Sequence, residues 1–330
     1  MRTDAGLFLW VVNMMDQLPN VQSIKHALTV TEQIKLLKAR GLIVNNMTYA
    51  QHKLKYISYY RFQSYLYYYE IPHVENNKRT HIFKENVTFE KVAHLYVFDK
   101  SLRMLFLDAI ERIEVAFRTV MNNVMSLKYN NHWYLEKSIF NRYSAKLERS
   151  YQVILNEIIP KAKRQHQDEL FLKHYIKEGK YNGQDLPCWV LAEITTKGMW
   201  SKLYGLLHFE YKKAIAQDFG LPVTLFESWF HCLTILRNQC AHHGRVWNRD
   251  YAVKMKLPKS ALTVLDQHKT SAMIFAMHSV LRLIAPESEW LSRLEMLITK
   301  YKVDIKAMGL TENWKEKFEY HADYLIRERK

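Results

Sequence analysis

The longest unbroken helical pattern in the chain follows Thr88, where Phe89, Val92, Tyr96, Leu102, Phe106, Ile110, Ile113, Phe117, Val120 and Val124 recur mostly at three- and four-residue spacing. A helix of about 38 residues would be about 57 Å long at ~1.5 Å per residue unless it breaks near Asp99, so it predicts the backbone of a helical domain against which the rest must pack. Only 9 Gly and 7 Pro occur in 330 residues, and two-residue alternation is scarce, which leaves few turns and no strand signature. The predicted fold class is all-α, with no internal repeat.

Other helices can be placed around this one. Thr29 with Glu32 reads as a capping box that opens a helix ending at Arg40-Gly41, and Thr48 with Gln51 opens a second. The second leads into Tyr56–Tyr69, a segment with seven tyrosines and Arg61 among them. Stacking of unpaired bases on Tyr59, Tyr60 and Tyr65 beside Arg61 is one reading; packing is the other, since tyrosine at this density covers every helical face. Pro72–Val87 reads as a loop and the domain boundary, giving an N-terminal helical RNA-contacting region over 1–87 and a helical bundle over 88–330. Asn130–Asn141 is a second loop. A helix ending near Pro160 and a charged helix over Lys161–Glu178 follow, the latter presenting Lys161, Lys163, Arg164 and His166 as a solvated face. Asp185 with Pro187 starts an apolar helix continuing from Trp189 to Tyr204; Ser271–Ile284 is buried core, and Thr311 caps the last helix.

The densest polar chemistry lies between Leu233 and Arg249. Thr224 with Glu227 suggests a capping box, Phe226, Trp229, Phe230, Leu233, Leu236 and Cys240 form an apolar stripe, and Gly244 suits a C-terminal cap. Arg237 to His243 are then the last two turns. Asn238 and His242, four apart, share a face with Arg237 beside them. An imidazole can move a proton near neutral pH, and a guanidinium is a permanent fork for phosphate oxygens. The group suits phosphodiester chemistry without a metal; a polar helix end, with Arg237 in a salt bridge and the histidines capping carbonyls, is the other reading.

On the long helix Glu111, Glu114 and Arg118 fall at i, i+3 and i+7. They suit an exposed Glu114–Arg118 pair or a border to the catalytic pocket that orients His242 or Arg237.

Forty-eight Lys+Arg against 33 Asp+Glu give a net charge of +15, which favours a polyanionic partner, with nucleic acid ahead of an anionic membrane surface. Cys188, Cys232 and Cys240 lack the spacing of a disulfide framework, and the two last sit on or near the apolar stripe, so zinc held by His231, Cys232, Cys240 and His242 is not expected. No cofactor is called for, and a reducing cytoplasm fits. Gly6–Val12 is apolar but has no cleavage site after it; Met14 and Met15 offer a later start. No run approaches the ~18–20 apolar residues that span a bilayer.

Arg237-Asn238-x-x-x-His242 resembles the R-x4–6-H signature of ribonucleases of the HEPN superfamily. The wider run from Ala241 to Arg249 is similar to that of the Abi-like (AbiD/AbiF-type) family of bacterial phage-defence, or abortive-infection, proteins. Three more segments resemble that family: Tyr59-Tyr60-Arg61-Phe62; Asp99-Lys100-Ser101-Leu102-Arg103 with Ile110-Glu111-Arg112-Ile113-Glu114; and Pro187 through Trp189 and Glu193 to Gly198 and Ser201.

The resemblance implies a HEPN-like helical bundle with an N-terminal helical extension. It also implies a metal-independent, toxin-like RNA endonuclease in which the ribose 2′-OH attacks the adjacent phosphate. His242 would be the general base or acid, Arg237 the phosphate ligand and Asn238 an orienting group, with a supporting role for Glu114. The second proton-transfer group is either His243 or His242 of a second chain in a homodimer, and Arg245, Asn248 and Arg249 would position RNA. A bound small non-coding RNA is a further expected partner. The alternative is a non-catalytic protein that grips a structured RNA; a duplex-DNA reader is weaker, since the segment between the first two helices lacks a tight turn.

Overall fold

The computed structural model describes residues 26–72, 80–176 and 185–327. Gly6–Val12, Met14, Met15, Asn76, Asn77 and Glu178 lie outside the described residues. Among those described, every regular element is helical, and extended pairing is confined to isolated bridges of Ile43 with Thr88, Glu70 with Phe83 and Phe140 with Leu207. No single helix among them is long and apolar enough to cross a membrane. The chain divides into two compact units between Phe98 and Asp99, inside the long helix; sequence patterning places the boundary earlier, in the Pro72–Val87 loop.

In the first unit, helix α1 (Val30–Ala39) opens on the Thr29/Glu32 capping box with both hydrogen bonds formed, and Gly41 beyond it takes φ 93°. Helix α2 (Met47–Ile57) is capped by Asn46 rather than Thr48: the Asn46 Oδ1 accepts from the Tyr49 N–H at 2.9 Å. Asn46 is still extended there, as an N-cap must be, whereas Thr48 is already helical. Ser58 at φ 64° separates α2 from α3 (Tyr59–Leu66), which closes in a tight turn over Tyr67–Tyr69. Phe62 stacks on Phe89 at 4.6 Å and Tyr65 meets Tyr96 edge-on at 5.4 Å.

Helix α4 spans Phe89–Lys128 without a break at Asp99. In the second unit its buried line runs through Phe106, Ile110, Ile113 and Phe117 to Met121 and Met125, leaving Val120 and Val124 half-buried. Helices α5 (Ala145–Val153) and α6 (Ile159–Gln165) are joined by a π-helical turn over Ile154–Ile158. Pro160 therefore does not stop the chain: the wider turn before it absorbs the ladder bond that its missing N–H cannot make. After α7 (Leu170–Ile176), the segment expected as one apolar helix is two, α8 (Cys188–Ile194) and α9 (Lys197–Leu206). The break is Thr195, whose hydroxyl donates to the Leu191 carbonyl at 2.5 Å and accepts from the Trp200 indole at 2.9 Å. Such side-chain bonding competes with the helical ladder.

Helices α10 (Phe209–Asp218), α11 (Val223–Ala241), α12 (Thr270–Ile284), α13 (Trp290–Tyr301) and α14 (Trp314–Arg327) complete the unit. Thr311 lies outside α14, its hydroxyl taken by Lys317 Nζ at 2.8 Å. Helix α12 is buried at every position from Thr270 to Leu281, as its composition predicts. Helix α11 is held on two sides, Trp229 packing on Phe275 of α12 at 5.9 Å and Phe230 on Phe117 of α4 at 4.6 Å. That double contact fixes where the polar end of α11 emerges.

Candidate active site

Helix α11 begins after Pro222, with no capping box. Thr224 is inside the first turn, and Glu227 is instead paired with Lys212 Nζ at 2.8 Å. Phe226, Trp229, Phe230, Leu233, Leu236 and Cys240 are all buried, so Arg237, Asn238, His242 and His243 are left on the exposed side. The Arg237 guanidinium donates to the neighbouring Asn238 Oδ1 at 3.3 Å and has no carboxylate partner among the described residues, which speaks against the salt-bridge reading.

The helix ends at Ala241, sooner than its sequence suggests. His242 is the cap residue, its N–H bonded to the Asn238 carbonyl at 2.9 Å, and His243 rather than Gly244 takes the left-handed position, at φ 59°. A Cβ at Gly244 would stand 1.8 Å from Gln239 Nε2, so the end of that side chain would have to move to admit one, and the Gly244 N–H bonds the Gln239 carbonyl at 2.9 Å.

The loop after the helix is rooted in the core. Asp99, fully buried on α4, accepts the backbone N–H groups of Val246 at 3.1 Å and Trp247 at 2.6 Å and is ion-paired with Arg103. Thr270 Oγ1 donates to the Val246 carbonyl at 2.8 Å, and the Trp247 indole donates to the Asp304 carbonyl at 3.2 Å. These bonds hold the turn that presents the two histidines. Arg245 and Asn248 are half-buried. Arg249 lies over the Tyr251 ring at 5.8 Å and donates to the Arg245 carbonyl at 3.5 Å, so its stem is committed to the loop's own packing.

The three charges on α4 part company. Glu111 is exposed and lines a shallow groove with Val115, Ala116 and Ile284. Arg118 does not pair with Glu114 but donates to the Ala192 carbonyl and, at 3.4 Å, to that of Thr195. Glu114, half-buried, instead acts on Lys197, a residue that the sequence pattern absorbs into an apolar helix. Lys197 opens α9; the residue is 2% exposed, and its Nζ has no hydrogen-bond partner among the described residues. Burial pushes the amine down to about 8, with Glu114 raising it and Arg237 lowering it further. The only hint in the sequence is one cation set among Ile194, Met199 and Trp200.

In the first unit, Tyr60 is 86% exposed and Arg61 is exposed, whereas Tyr65 is 1% exposed and belongs to the core, where no base can stack on it. Tyr59 is half-buried and its hydroxyl accepts from Arg40 at 3.2 Å. Burial pushes the Cys232 thiol up to about 11 and the Cys240 thiol up to about 12, so neither is a ready thiolate ligand or nucleophile.

A family model described as Abi-like protein matches residues 52–248, from within α2 to the loop rooted on Asp99. No curated protein and no solved structure matches the chain.

Proposed function

The chain belongs to the Abi-like protein family, and from that premise we propose that it is an RNA endonuclease of a phage-defence or toxin-like system that needs no metal. The observation that carries this reading is the exposed end of α11: a guanidinium with no carboxylate partner among the described residues and an imidazole on a turn rooted in the core. Arg237 takes a non-bridging oxygen of the scissile phosphate and stabilises the charge that gathers on the phosphorane. His242 removes the 2′-OH proton, and the oxygen attacks the adjacent phosphorus; the products are a 2′,3′-cyclic phosphate and a 5′-OH. The nucleophile belongs to the substrate, so its attack is intramolecular and a metal-bound water is dispensable. Asn238 orients the phosphate, and Arg245 and Asn248 hold flanking nucleotides. The leaving oxygen's proton comes from His243 or from His242 of a second copy in a homodimer, since both residues are exposed at the end of the helix.

The test is RNA cleavage in EDTA by the full chain beside His242→Ala and Arg237→Ala, with product ends identified and RNA binding measured in parallel. We expect cyclic phosphate ends from the parent and a loss of at least ~100-fold in each variant with binding retained. Tight, salt-sensitive binding with no cleavage by the parent would replace this reading with that of a protein that grips RNA. Equal cleavage by all three would move the chemistry elsewhere.

A further inference from the structure

Lys197 is an anomaly on physical grounds. A buried ammonium without a hydrogen bond is among the costliest groups a core can hold, and this one stands at the first position of α9, where the helix dipole is unfavourable to a cation. Its surroundings are specific. The Phe230 ring of α11 lies 5.9 Å from the amine, Glu114 of α4 and Arg237 of α11 are its charged neighbours, and Arg118 of α4 is tied to the Ala192 and Thr195 carbonyls close by.

We propose that Lys197 is a positioning residue of the RNA-cleaving site: its buried charge occupies Glu114 and leaves the Arg237 guanidinium unpaired and turned outward for a substrate phosphate. Without it, the half-buried Glu114 carboxylate would lose the cation buried beside it, and an ion pair with Arg237 would draw the guanidinium down from the surface. With it, Glu114 is countered from within the core, like-charge repulsion favours the outward position of Arg237, and a second positive charge stands behind the phosphorane. Lys197 itself cannot reach the substrate, being 2% exposed. The inference rests on the nuclease reading above. It adds a pH dependence: once the amine loses its proton, Glu114 is free to take Arg237 and cleavage declines.

The test compares the full chain with Lys197→Met and Lys197→Arg in EDTA from about pH 6 to about pH 9.5, reading kcat, KM and RNA affinity together with thermal unfolding. Lys197→Met is expected to lose roughly tenfold or more in kcat at neutral pH, to bind RNA within about twofold of the parent and to melt no lower. The parent's alkaline decline should be absent in Lys197→Arg, whose guanidinium keeps its charge. Unchanged kcat in Lys197→Met, or a loss matched by a fall in melting temperature, would overturn the proposal. If the parent cleaves no RNA, the nuclease reading fails by itself, and the charge network is read by NMR of labelled lysine side chains. Arg237→Ala should then raise the Lys197 titration midpoint and Glu114→Gln should lower it; a midpoint unmoved by both would sink the network as well.

Discussion

Two charged clusters connect α4 to α11 and the loop after it, and they are built to opposite rules. At Asp99 the buried carboxylate is matched on every side, by Arg103 and by the Val246 and Trp247 N–H groups. At Glu114 the matching is incomplete: the Lys197 amine lacks a hydrogen bond, and Arg237 reaches solvent with an amide as its partner. A matched buried charge specifies shape, because any other arrangement strands it. An unmatched one holds an unfavourable state that folding alone would discard, and such groups gather where chemistry uses them. The first cluster fixes where the turn sits; on the proposal above, the second sets how the Arg237 guanidinium at the end of α11 is offered.

That contrast can be broken by substitutions read first as stability. Asp99→Asn should do the most damage, since it removes the buried charge paired with Arg103 and weakens the two bonds that root the loop. A loss of about 3–5 kcal/mol in urea unfolding is expected, and one below about 1 kcal/mol would show that the root does not depend on the charge.

Lys197→Met should act in the opposite direction, stabilising the chain at neutral pH by on the order of 3 kcal/mol from charge burial alone. The pH dependence carries the sign. The folded amine lies at about 8 against an ordinary 10.5, so between those values the unfolded chain holds more protons and the parent's stability rises with pH. The burial cost is fully present below about pH 8, and the variant's advantage should therefore shrink as unfolding is measured nearer pH 10. A constant gap across that range would mean that the cost comes from packing.

Gly244→Ala stands between the two clusters in place and in effect. The new methyl displaces the Gln239 side chain and with it the 3.4 Å bond to the Arg245 carbonyl, a cost of about 1 kcal/mol. Cleavage should fall with it if the turn sets the His243 position, and stay at the parent's level if His243 has no part. Arg237→Ala and His242→Ala should move stability least, within about 0.5 kcal/mol, because both side chains are exposed. A larger change in either would place them in the scaffold.

The apolar stripe of α11, the long helix after Thr88 and the buried Thr270–Ile284 helix are legible in the periodicity of the chain, because a core needs apolar side chains on the facing side whatever it faces. The Thr29/Glu32 box is readable because both its bonds are local. The Thr224/Glu227 box has the same spelling and is absent: Lys212, from the preceding helix, claims the glutamate. Likewise Pro160 spells a helix end and Thr195 the middle of one, yet a π turn carries the chain past the first and a hydroxyl bond stops it at the second.

The sequence by itself determined the helical class, the basic charge and the polar group at the end of α11, since each depends on residue type and spacing within one segment. Only the tertiary structure decided that Tyr65 is core and Tyr60 is surface, that Glu111 and Glu114 face different neighbours, and that Lys197 lies buried with Arg237 as a charged neighbour. These depend on which distant helix fills the space beside a side chain, and no period within a segment encodes that.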